Sequence, residues 1–126
     1  MRGVATAAAA GIVLAGMWAT PAHAADNVDV RGACSAGSEW RLKVEPRTAT
    51  RLRVEFEVDS DVPGQTWAVR ITDNGAEVFS GTRVTQDGSG EFRVRRATRN
   101  QPGPDTVVAT ASNTATGETC TAEGTY

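Results

Sequence analysis

Arg51-Leu52-Arg53-Val54-Glu55-Phe56-Glu57-Val58 alternates charged and apolar side chains without a break. A period of two puts Leu52, Val54, Phe56 and Val58 on one side and the charges on the other, as in a strand with one face buried and one in water. At the helical period the same apolar residues would scatter around the axis.

The pattern repeats on both sides of this run. Trp40, Leu42 and Val44 alternate with Arg41, Lys43 and Glu45. Trp67, Val69 and Ile71 alternate with Ala68 and Arg70, and Phe92 and Val94 with Glu91, Arg93 and Arg95. Val107, Ala109 and Ala111 alternate with Val108, Thr110 and Ser112. Turn residues separate the runs: Glu45-Pro46-Arg47, Asp61-Val62-Pro63-Gly64, Asp73-Asn74-Gly75, Asp87-Gly88-Ser89-Gly90, Gln101-Pro102-Gly103-Pro104 and Thr116-Gly117. About seven short strands in about 100 residues, with no helical period, predict one all-β domain, a seven-stranded antiparallel β-sandwich.

Two registers follow from these patterns. Around Asp73-Asn74-Gly75, a two-residue turn pairs Ile71 with Val78, and a three-residue turn with a glycine bulge pairs Val69 with Phe79. The second is preferred because it hides Phe79. For the two runs around Pro46, pairing Glu45 with Arg53, Lys43 with Glu55 and Arg41 with Glu57 makes every facing pair opposite in sign. Arg93 and Arg95 then face the same glutamates from the other side.

Residues 1–24 read as a secretory signal. Arg2 precedes an apolar stretch from Val4 to Trp18, and Ala22-His23-Ala24 supplies the small residues of a cleavage site. The stretch is too short and too rich in Ala and Gly for a membrane span. The expectation is cleavage after Ala24, a secreted or extracellular domain over residues 25–126, and no membrane attachment. Losing Arg2 leaves 12 basic residues against 15 acidic ones. That balance, without a basic block in the sequence, argues against nucleic acid and anionic membranes as partners.

Cys34 and Cys120 are the only cysteines. An even number in an exported chain predicts one disulfide, joining the start of the domain to its last strand.

Strand order and spacing resemble the immunoglobulin and fibronectin type III sandwiches. Trp67 sits in the third strand, where such folds often bury a tryptophan. Gly103 to Asn113 is similar to the sixth strand of bacterial immunoglobulin-like domains, where an Asp opens the strand and small residues alternate inward. Phe56 and Ala109 stand near the places of the antibody cysteines. The resemblance implies an immunoglobulin-like fold. The whole chain also resembles small exported actinobacterial proteins with one cysteine near each end, which implies no particular activity.

The lone histidine, His23, belongs to the signal, so the exported domain lacks histidine-based triads and metal sites. Lys43 is the only lysine and faces solvent. No phosphate loop or dinucleotide fingerprint occurs. The reading is therefore a non-enzyme with no catalytic residue, cofactor or metal. Asp59 and Asp61 with Glu57 read as a solvated turn in preference to a calcium site. Asp105 reads as a loop cap through backbone N–H groups. Trp40 and Trp67 read as core in preference to a sugar-stacking platform with Tyr126.

What remains is a binding or structural module of the cell exterior, its partner an extracellular protein or a cell-wall component. Candidate binding residues lie in two end loops: Asp59, Asp61 and Gln65 in one, Asn113, Thr114 and Thr116 in the other. The face carrying Arg70, Thr72, Thr110, Ser112, Thr119 and Thr121 is polar and nearly uncharged. Alternatives are an inhibitor presenting the Gln101–Pro104 loop, or a small-molecule carrier analogous to the enediyne apoproteins.

Overall fold

The computed structural model describes residues 27–126. The expected signal segment, residues 1–24, and the expected cleavage point lie outside the described residues. Eight strands occur: β1 Val28–Ala33, β2 Glu39–Thr48, β3 Arg51–Asp59, β4 Thr66–Asp73, β5 Ala76–Val84, β6 Glu91–Arg99, β7 Thr106–Asn113 and β8 Thr119–Thr125. They form two four-stranded antiparallel sheets, ordered β1-β2-β3-β6 and β5-β4-β7-β8. Set β1 aside, and β2-β3-β6 facing β5-β4-β7-β8 is the Greek-key order of an immunoglobulin-like sandwich.

Each alternating run buries the side its pattern implies. Leu42, Val44, Leu52, Val54, Phe56, Val58, Phe92 and Val94 come inward from one sheet. Trp67, Val69, Ile71, Val107, Ala109, Ala111 and Ala122 come from the other. Trp67 is fully enclosed, its ring 6.1 Å from that of Phe92, which meets Phe56 edge-on at 6.4 Å. The small alanines on β7 and β8 leave the depth that so large a side chain requires.

The count of seven strands is one short. The eighth, β1, pairs with β2 from Val28↔Val44 to Ala33↔Glu39. Its inward positions are Val28, Val30 and Gly32, too brief an apolar run to read as a strand alone. Gly32 is there for a packing reason: the Trp40 indole lies against it, and a Cβ would collide with that ring. Trp40 is consequently only partly buried, at the margin of the core.

Two local expectations need correction. Glu45-Pro46-Arg47 does not end its strand; β2 runs on to Thr48 and the turn falls at Ala49-Thr50. β1 reaches no further than Val44, so β2 is an edge strand at Pro46, where the missing N–H is tolerated. The β4–β5 hairpin does not adopt the three-residue turn. Asp73 pairs with Ala76 across Asn74-Gly75, both at positive φ, and a bulge then shifts the register so that Ile71 faces Phe79 and Val69 faces Gly81. The Asn-Gly turn thus keeps its preferred two-residue geometry, and the bulge turns Phe79 to the inner side without it.

The β2–β3 and β3–β6 registers agree with the charge pattern. Glu45 faces Arg53, Lys43 faces Glu55 and Arg41 faces Glu57; Arg95 and Arg93 stand beyond Glu55 and Glu57. The Cys34–Cys120 disulfide forms and joins the two sheets at the β1/β8 side, with Cα atoms 4.4 Å apart.

Candidate functional site

Both candidate loops meet at one end of the sandwich, together with the β1–β2 and β5–β6 connections. Apart from that of the exposed Asp61, their candidate side chains are engaged in holding that end. Asp59 Oδ1 accepts from the Asp61 N–H at 2.9 Å, forming a turn in which Asp61 takes a positive φ of 61°. Gln65 Oε1 accepts from the Trp67 indole at 3.3 Å. Asn113 is buried, and its Oδ1 accepts from the N–H groups of Ala115 and Thr116. Thr114 Oγ1 donates to the Thr66 carbonyl, and Thr116 Oγ1 accepts from Glu118 N–H.

Sequence reading missed Glu118 at this end. Its carboxylate accepts from Ala36 N–H at 3.0 Å, Ser38 N–H at 2.9 Å and the Ser38 hydroxyl at 2.8 Å. Burial works against its charge, but these hydrogen bonds outweigh it and hold the pKa below the usual glutamate value. An exposed-looking Gly-Glu-Thr gave no signal, because the donors lie about 80 residues earlier.

The opposite end holds the other missed feature. Asp73 and Asp105 are both buried, and the Asp105 carboxyl is close enough to act on that of Asp73. Thr98 Oγ1 donates to Asp73 Oδ2 at 3.2 Å. Asp105 accepts from the Gln101 N–H, as a loop cap does. Burial, then the neighbouring Asp105, push the Asp73 pKa up to about 6.

The two outer sheet faces differ sharply. On β1-β2-β3-β6 the outward side chains are mostly charged, and eight of them pair. Arg41 reaches Asp29 (2.7 Å), Arg95 reaches Glu55 (2.7 Å), Arg93 Nε reaches Glu57 (3.0 Å) and Arg53 pairs with Glu45. Burial opposes the charge of Glu55, yet Arg95, Arg93 and Lys43 together depress its pKa.

The outer face of β5-β4-β7-β8 carries small hydroxyls in register. One row across the sheet is Thr82, Ala68, Ser112 and Thr119; the next is Ser80, Arg70, Thr110 and Thr121. Strand geometry spaces such side chains about 4.8 Å across the sheet and about 6.7 Å along it. These rows line a shallow trough of about 650 Å³. Arg70 is its single charged residue, and Glu77 lies 3.7 Å away at the margin. The face expected from the sequence, including Thr72, is thus assembled on one sheet. Ser80 and Thr82, not named from the sequence, join this face because the bulge keeps Phe79 on the inner side of β5.

The sugar-stacking platform is absent, since Trp67 is enclosed and Trp40 packs on Gly32. The space between the sheets is filled by Phe56, Trp67 and Phe92, and the trough lies outside it. Among the described residues no group of three or more His, Cys, Asp or Glu could hold a metal ion, and no helix is long and apolar enough to cross a membrane.

Fold and surface together define an immunoglobulin-like, disulfide-bridged β-sandwich. No family model and no curated protein matches the chain. Among solved structures it is similar to the crystal structure of a Br derivative of BhCBM56, at 14% identity and a TM-score of 0.38, over 75% of this chain and 98% of that one.

Proposed function

We propose that this is a secreted, non-catalytic binding module of the cell exterior, of the small exported actinobacterial type its sequence resembles. Its working surface is the trough on β5-β4-β7-β8, and its partner is an uncharged, hydroxyl- or amide-rich component of the cell wall. The observation that carries this reading is the hydroxyl grid: Ser80, Thr82, Thr110, Ser112, Thr119 and Thr121 all line one concave face. A hydroxyl both donates and accepts, so such a grid matches a neutral polar polymer without requiring charge on either side. The opposite sheet presents charged side chains, several of them paired with one another, and so offers no comparable neutral grid.

The test is sedimentation of the purified protein with isolated cell walls. The expected result is retention of the wild type and of Arg93→Gln, and at least a tenfold loss for Thr110→Glu, which puts an unmatched charge at the centre of the trough. Equal retention of Thr110→Glu and wild type, or no retention of the wild type, overturns the reading.

A further inference from the structure

The charges on the outer face of β1-β2-β3-β6 are sorted along the strands. At the loop end, Glu39, Asp59 and Glu91 face one another in a single row. At the other end, Arg53 stands opposite Ala97, and Arg51 stands opposite Arg99. The bulge after Pro46 adds Arg47 to this basic end. The sequence alone shows the cluster Arg93-Val94-Arg95-Arg96 with Arg99, which reads as a solvent face balanced by Glu55 and Glu57; β2 and β3 add Arg47, Arg51 and Arg53 beside it.

Arg47, Arg53, Arg95 and Arg96 line a cradle of about 160 Å³ beside Ala97. A guanidinium carries five N–H donors and no acceptor. Only two carboxylates answer the four: Glu45 for Arg53 and Glu55 for Arg95. Arg96 alternates to the inner side of β6, donates one N–H to the Arg95 carbonyl at 2.8 Å and lies 4.7 Å from the centre of the Phe79 ring, so it closes only the rim of the cradle. The buried Nε–H of Arg53 has no acceptor at all. Ala97 is the short side chain between Arg95 and Arg99 that leaves the floor open.

We infer that this cradle is an oxyanion site that takes a phosphate group, either free phosphate or a phosphodiester of an anionic polymer. Planar forks of donors suit the oxygens of a phosphate, which accept several bonds at once. The surplus of two positive charges survives in a chain whose overall balance is acidic. The site lies on the opposite sheet from the hydroxyl trough and does not depend on it.

The experiment is calorimetric titration at low ionic strength, with inorganic phosphate and linear polyphosphate as probes and chloride at matched ionic strength as reference. The protein is expressed from the full chain. Binding of one or both probes above chloride is expected. Ala97→Glu, which fills the cradle and neutralises Arg53, should lower affinity at least tenfold; Arg47→Gln should lower it at least threefold. Both should keep the wild-type thermal midpoint, and Arg70→Gln on the other face should bind as wild type. Binding of polyphosphate alone assigns the site to a polymer; comparable binding of inorganic phosphate assigns it to the free ion. The inference fails if neither probe exceeds chloride. It also fails if both cradle variants bind as wild type, or if Arg70→Gln loses as much as they do.

Discussion

Asp73 closes β4 with a carboxyl group that has no room for its charge. It is 1% exposed, its Oδ1 has no donor, only Thr98 donates to its Oδ2, and the neighbouring carboxyl of Asp105 is itself fully buried. A proton on Asp73 resolves the conflict by donating to Asp105. Folding therefore raises this pKa from 3.8 to about 6. A raised carboxyl pKa means that the folded state binds the proton more tightly than the unfolded chain. Its contribution is fully present below about pH 4 and is lost as pH rises through about 6, at a cost on the order of 2–3 kcal/mol. Asp73→Asn keeps a hydrogen-bond donor and carries no charge. It should raise the stability at pH 7.5 by about 2 kcal/mol and flatten the dependence between pH 4 and 7. Urea unfolding at a series of pH values checks both. A wild-type stability that rises over that interval would refute the account.

At the level of elements, each open margin of the sandwich is closed differently. β1 covers one side of β2, and it can do so because Gly32 admits the Trp40 ring. Gly32→Ala should cost about 1–3 kcal/mol, since the added methyl takes the place of the Trp40 ring and the ring must leave its packing against β1. Denaturant unfolding measures the loss, and a change in Trp40 emission reports the displaced indole while the enclosed Trp67 stays silent. On the other margin, Arg83 and Arg96 lie over the Phe79 ring at 4.6 and 4.7 Å. Charges on the inner side of the edge strands β5 and β6, with the bulge in β5, deter pairing with another chain.

For the molecule as a whole, the disulfide spans 86 residues and ties the first strand's end to the last strand. In the chain-entropy model, a loop of that length removes roughly 4–5 kcal/mol from the unfolded state. That is a large share of a small domain's total of about 5–15 kcal/mol. Reduction, or Cys34→Ala with Cys120→Ala, should lower the unfolding free energy by about 3–5 kcal/mol. The Glu118 bonds to Ala36 and Ser38 hold the same end without covalent help, so the fold should persist in weakened form. Unfolding curves with and without reductant give the number. An unchanged midpoint would contradict it.

Alternation was enough to determine the sandwich and the inward set around Phe56 and Trp67, charge pairing the β2–β3–β6 register, and the two cysteines the disulfide, because strand period and pairing are local or pairwise and leave their mark in order along the chain. The face with Thr110, Ser112, Thr119 and Thr121 was legible for the same reason. Tertiary structure alone decided the rest. β1 has too few apolar residues to declare itself, and its place depends on the Trp40 ring. The bulge in β5 assigns Ser80 and Thr82 to the trough. Asp73 meets Asp105, and Arg47 meets Arg53, Arg95 and Arg96, only after strands far apart in the chain are laid side by side. A sequence pattern reports which side of its own strand a residue takes; what stands across from it depends on how the strands are brought together.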